Sequence, residues 1–120
     1  MSAVSITGNL TDTPSIKFTN NGTAVSNFSV AVNKKRGDEE IVHYFDITAW
    51  GTLAQNVSES LAKGDRVNVI GNITQDRFEK EGQKRSAVVI VAESVGPDLR
   101  WATARVSKAE GGSRKVEEDF

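Results

Sequence analysis

Residues 41–64 read IVHYFDITAWGTLAQNVSESLAKG, and a change of period inside this stretch decides the fold. From Ile41 to Trp50 the residues alternate. Phe45, Ile47 and Ala49 share one parity and Tyr44, Asp46, Thr48 and Trp50 the other, as in a half-buried β-strand. Gly51 ends that pattern. Leu53, Val57 and Leu61 then recur on one helical face over residues 53–62. Thr52 is placed to cap the first turn with Gln55 three residues on, and Lys63-Gly64 supplies a stop. A strand therefore runs directly into a helix.

Two strands precede this unit. Residues 2–10 alternate, with Val4, Ile6, Gly8 and Leu10 on one parity; Pro14 interrupts, and residues 15–19 continue the strand. Asn20-Asn21-Gly22 then predicts a hairpin, because Asn and Gly tolerate positive φ. Residues 25–33 form the second strand with Phe28, Val30 and Val32 together, and residues 34–40 read as a polar loop. Two strands also follow the helix. Residues 66–73 run on through Phe78, with Val67, Val69 and Ile73 on one parity and Ile70 off it, as a bulge would allow. A turn at Gly82 leads to the fifth strand, residues 85–95, whose run 87–92 is apolar on both parities and predicts cover on both faces. Five strands with one helix between the third and fourth is the order of an OB-fold, an all-β barrel whose face and loops take oligonucleotides or oligosaccharides. Residues 99–106 are expected to add a C-terminal strand, and Glu110-Gly111-Gly112-Ser113 reads as flexible linker. The expected organisation is a barrel domain over 1–106 and a tail with an acidic tip over 107–120.

Composition narrows the chemistry. A chain of 120 residues carries one modest core, and it holds no cysteine and a single histidine, His43, so disulfides, thiolate metal sites and a cysteine nucleophile are excluded. His43 shares the parity of Phe45 and is expected as a hydrogen-bonded structural residue. No metal or cofactor is expected. The adjacent acids Asp38, Glu39 and Glu40 do not hold the separation that paired-carboxylate hydrolysis needs, and no Gly-rich phosphate loop opens a helix, so a non-enzymatic protein is expected. No apolar run approaches membrane-spanning length and the first residues lack a secretory pattern, which predicts a cytoplasmic location without a membrane partner.

The formal net charge is −1. Residues 107–120 hold three of the fifteen bases and four of the sixteen acids, leaving the body with twelve of each. Attraction for phosphate must then be local, from Lys34, Lys35 and Arg36 or from Arg77, Lys80, Lys84 and Arg85. Each group also reads as a solvated charged edge. Tyr44 and Trp50 lie on the polar parity of their strand, and Phe78 on that of Asn72, Thr74 and Asp76. The pattern leaves two readings for these aromatics, stacking surfaces for nucleic-acid bases or packing at a barrel end or subunit contact. Glu117, Glu118 and Asp119 before Phe120 likewise read either as a solubilising end or as a docking peptide.

Several segments carry a resemblance: ITGNL (6–10), NGTAVSNFSVA (21–31), WGTLAQNV (50–57), KGDRV (63–67) and VIG (69–71). Over about residues 3–106 the chain resembles bacterial and phage single-stranded DNA-binding proteins. The closing VGPDLRWATA (95–104) is similar to the actinobacterial branch, implying an actinobacterium or one of its phages as source. The resemblance implies a homotetrameric OB-fold that wraps single-stranded DNA without sequence preference during replication, recombination and repair. It puts Tyr44, Trp50 and Phe78 on the stacking positions and Arg36 where many members carry a further aromatic, exchanging stacking for charge. It makes residues 99–106 a clamp on neighbouring subunits, with Trp101 structural rather than DNA-facing. Members usually end in a long linker and an acidic tip finishing in Pro-Phe. Here the linker is short and Asp119 replaces the proline, and Glu117 to Phe120 are implied as the docking point for replication and repair proteins.

Overall fold

The computed structural model describes residues 3–108, with the backbone alone at 76, 78, 80, 85 and 86. The elements in order are β1 (Ala3–Leu10), β2 (Ser15–Phe18), β3 (Ala24–Arg36), β4 (Glu39–Trp50), α1 (Thr52–Ser60), β5 (Arg66–Lys80) and β6 (Gln83–Pro97). The sheet order is β1-β5-β6-β4-β3-β2, and β1 returns to β3 through Asn9↔Ala31 and Leu10↔Val30. Five strands thus close a barrel, and β2 is the extra strand on its edge. Closure removes the free edges that an open sheet would leave to self-association. The β4–β6 pairing, Asp46↔Val89 to Thr48↔Val91, is parallel, and the other pairings are antiparallel.

The strand parities place the core where the alternation predicts. Leu10, Phe28, Val30, Ile47, Ala49, Val67, Val69, Ile90 and Ala92 fill the barrel, joined by Ala54, Val57 and Leu61 from α1. Burying one large side chain of this kind is worth about 1.5–3 kcal/mol, so a one-residue slip in any of these strands is strongly opposed. Two glycines let strands approach closely. A Cβ on Gly8 would run into the carbonyl oxygen of Ala31, and one on Gly71 into that of Val91.

Several local expectations are corrected. Residues 34–40 are not a loop: β3 and β4 continue to Arg36 and Glu39, pairing Lys34↔Ile41, Lys35↔Glu40 and Arg36↔Glu39 around a tight turn at Gly37 (φ 67). Cross-strand hydrogen bonding extends the hairpin beyond the barrel whatever the polarity of its side chains. Thr52 does not cap α1; Gly51 (φ 65) is the N-cap, with no side-chain cap hydrogen bond, and its carbonyl accepts from Gln55 N–H at 3.2 Å. The bulge is real but lies in β6. Ile70 pairs with Ser94 and Gly71 with Ala92, so Glu93 is the extra residue, the core parity of β6 changes there from Ile90 and Ala92 to Val95, and Ile70 stays 48% exposed. Residues 87–92 are not covered on both faces within the chain: Ile90 and Ala92 are buried, Val89 and Val91 half-buried, and Val88 is 60% exposed. Residues 99–106 form no strand, since no strand of the barrel offers them a partner; the extra strand is β2. The His43 imidazole is exposed and has no hydrogen-bond partner among the described residues, because its parity has left the core by that point of β4.

Beyond β6, an ion pair and a backbone hydrogen bond from Asp98 N–H to the Arg66 carbonyl at 2.8 Å tie the chain back to the barrel. Arg66 Nε donates to Asp98 Oδ2 at 2.7 Å, and the hydrogen bond holds the Asp98 carboxyl below its ordinary value of 3.8. The Arg66 guanidinium also lies 4.6 Å from the Trp101 ring centroid, with that of Arg100 at 5.0 Å.

Candidate nucleic-acid interface

The outer surface of β3 and β4 is built from the parity that the core leaves over. Register sets its rows: Ala31 beside Tyr44, Ser29 beside Asp46, Asn27 beside Thr48 and Val25 beside Trp50. Tyr44 is 69% exposed and Trp50 47%, so both rings stand on the surface. Six residues along one strand separate them by roughly 20 Å. Trp50 is set by the turn that follows it. Gly51 donates its N–H to the Ala24 carbonyl at 2.8 Å, and its positive φ, open to glycine at no steric cost, turns the chain into α1.

Between the rings the surface is polar and dished. The Ser29 hydroxyl donates to Asp46 Oδ1 at 2.9 Å and the Thr48 hydroxyl to Asn27 Oδ1 at 2.8 Å. These side chains, with Phe28, Ile47 and Val89, line a groove of about 340 Å³. Asn72 and Thr74 continue the surface across β6, through Asn72↔Val91 and Thr74↔Val89. The arrangement offers π-faces at two ends and hydrogen-bonding groups in the middle, which suits unstacked bases better than a duplex, whose faces are hidden.

The cations are distributed less simply than their clustering in sequence implies. In the β3–β4 hairpin Lys35 shares the parity of Tyr44, while Lys34 and Arg36 share the other; all three are exposed. In the β5–β6 hairpin Arg77 and Lys84 are exposed on the parity opposite to Thr74. Backbone register puts position 78 opposite 85 and position 80 opposite 83, on the parity of Thr74; the side chains of Phe78, Lys80 and Arg85 lie outside the described residues. The tip, Glu117, Glu118, Asp119 and Phe120, also lies outside them.

A family model described as the single-strand binding protein family matches residues 1–98. The chain belongs to the single-strand binding protein family. It is 41% identical over 114 residues to the "Single-stranded DNA-binding protein" of Mycolicibacterium smegmatis, covering 88% of this chain and 69% of that protein. The protein of the same name from Mycobacterium leprae is 42% identical over 114 residues, covering 88% of this chain and 68% of that protein. "Single-stranded DNA-binding protein 2" of Streptomyces coelicolor is 37% identical over 119 residues, covering 92% of this chain and 60% of that protein. All three come from the bacterial branch that residues 95–104 resemble.

For this family member, register adds one cation that sequence reading leaves out. Lys17 of β2 pairs with Val25, which pairs with Trp50, so an exposed ammonium occupies the same row as the indole, two strands or about 10 Å away. Lys17 stands isolated in the sequence, and the hairpin at Asn20-Asn21-Gly22 is the signal that brings it beside Val25. Asn27 and Ser29 are also gained in this way, as cross-strand partners of Thr48 and Asp46.

Proposed function

We propose that this chain binds and protects single-stranded DNA without catalysis, stacking bases on Tyr44 and Trp50, with Phe78 extending the path. The observation that carries this reading is the pair of exposed aromatics on one barrel face with a polar groove between them. Stacking accepts any base because every base has a π-face, and it contributes about 1–3 kcal/mol per base. Lys17 and Lys35 lie on the same face and serve the phosphates there, while Lys34, Arg36, Arg77, Lys80, Lys84 and Arg85 serve a strand that wraps around the hairpins. The setting is DNA replication, recombination and repair in the cytoplasm or nucleoid, by a homotetramer. In that assembly residues 99–106, unpaired in the single chain, meet a neighbouring subunit. The segment 117–120 docks replication and repair proteins through its acids and Phe120.

The test is a titration with oligo(dT). Binding should quench the intrinsic fluorescence and retard the oligonucleotide at low salt, and Trp50→Ala should cost about 1–3 kcal/mol of affinity. No quenching and no retardation would instead leave an OB-fold protein-interaction module as the reading. A mass measurement in solution tests the tetramer.

A further inference from the structure

Asp46 sits at the centre of the proposed binding face, where a carboxylate is out of place. An exposed negative charge on a surface that receives a polyanion weakens binding unless it meets something other than phosphate. No ion pair among the described residues neutralises it. Its Oδ1 accepts from the Ser29 hydroxyl at 2.9 Å, which orients the carboxylate; Asp46 lines the groove, and its Oδ2 has no donor among the described residues. Beside it, Asn27 Oδ1 is taken by the Thr48 hydroxyl at 2.8 Å, so the Asn27 amino group remains as a donor. The groove thus presents one fixed acceptor next to one fixed donor, in the row between two stacking rings.

We propose that Asp46, positioned by Ser29 and assisted by Asn27, reads the edge of a base held in this groove and favours bases with an exocyclic amino group over thymine. The assignment rests on the single-stranded DNA reading above. Cytosine offers its N4 amino group as a donor, which a carboxylate accepts, and its N3 and O2 accept from an amide N–H. Thymine carries O4 where cytosine carries N4, and its imide N–H is flanked by two carbonyl oxygens that repel a carboxylate. The two pyrimidines are alike in size, so the comparison isolates the edge. The result is a bias laid over general binding.

The experiment measures affinities of the full chain for oligo(dC) and oligo(dT) of equal length, in wild type, Asp46→Asn and Ser29→Ala. Asp46 is exposed and Ser29 half-buried, and asparagine is nearly isosteric with aspartate. Differences in self-stacking of the free strands cancel when the dC/dT affinity ratio is compared between proteins. The ratio should fall about threefold or more in Asp46→Asn, with oligo(dT) gaining affinity as the repulsion is removed. It should fall by less in Ser29→Ala, where the carboxylate remains but loses its orientation. An equal gain for both strands in Asp46→Asn would overturn the proposal, making Asp46 a phosphate repeller only. Failure of the wild type to bind either strand would overturn the single-stranded DNA reading itself, and the base preference with it.

Discussion

Tyr44 and Trp50 were legible from sequence because a strand's parity is a local property: large aromatics on the polar side of an alternating segment have nowhere to go but outward. Lys17 was not legible, since its place beside Val25 and Trp50 depends on the register of two other strands. Ser26 is a further residue whose role appears only in the fold. It lies on the core parity of β3, fully buried, and its hydroxyl has no hydrogen-bond partner among the described residues. An unsatisfied buried hydroxyl costs about 1–3 kcal/mol, and alanine removes it with little change in volume. Ser26→Ala should therefore raise stability by about 1 kcal/mol, read as a higher midpoint in denaturant unfolding with unchanged slope, and should leave DNA affinity unaltered.

At the level of elements, the order of strands and helix followed from the period change at Gly51, while the hairpin lengths did not. A run of charged residues such as 34–40 has turn-like composition. It continues as strand here because backbone hydrogen bonding to an adjacent, already aligned partner extends the ladder. The Glu93 bulge escaped for the opposite reason: a two-faced apolar run conceals the point where inside and outside exchange. Gly71 sits against that bulge, and a methyl group there collides with the Val91 carbonyl. Gly71→Ala should destabilise by about 1–3 kcal/mol in equilibrium unfolding, the range of other overpacked sites.

The tie between β5 and the chain after β6 has a pH signature. Because Arg66 lowers the folded-state pKa of Asp98, the pair's contribution is complete above the ordinary carboxylate value of 3.8 and is lost as pH falls through the lowered folded value. Asp98→Asn should be less stable than wild type at neutral pH, and the gap should close in acid. A denaturation series across pH checks this; a gap that persists at the acid end would contradict it.

For the whole molecule, a net charge of −1 gives little long-range pull on DNA, so affinity must come from contact rather than from steering. The β3–β4 hairpin shows how the few cations are kept. Lys35 faces Glu40 and Arg36 faces Glu39 across the ladder, so two of the hairpin's three cations have a carboxylate a strand's width away, while Lys34 faces Ile41. These carboxylates are tethered beside the cations, and a phosphate approaching Lys35 or Arg36 meets a negative charge that cannot diffuse off. Fewer dissolved ions are then released per contact than the number of cations implies, and binding loses less strength as salt rises. Glu39→Gln combined with Glu40→Gln should tighten binding at low salt and steepen the plot of log affinity against log salt, by about 0.7 for each phosphate contact set free. Cut loose from its internal partners, the same hairpin would hold DNA harder in dilute buffer and surrender it sooner in brine; with them, the protein is buffered against the saltiness of its surroundings.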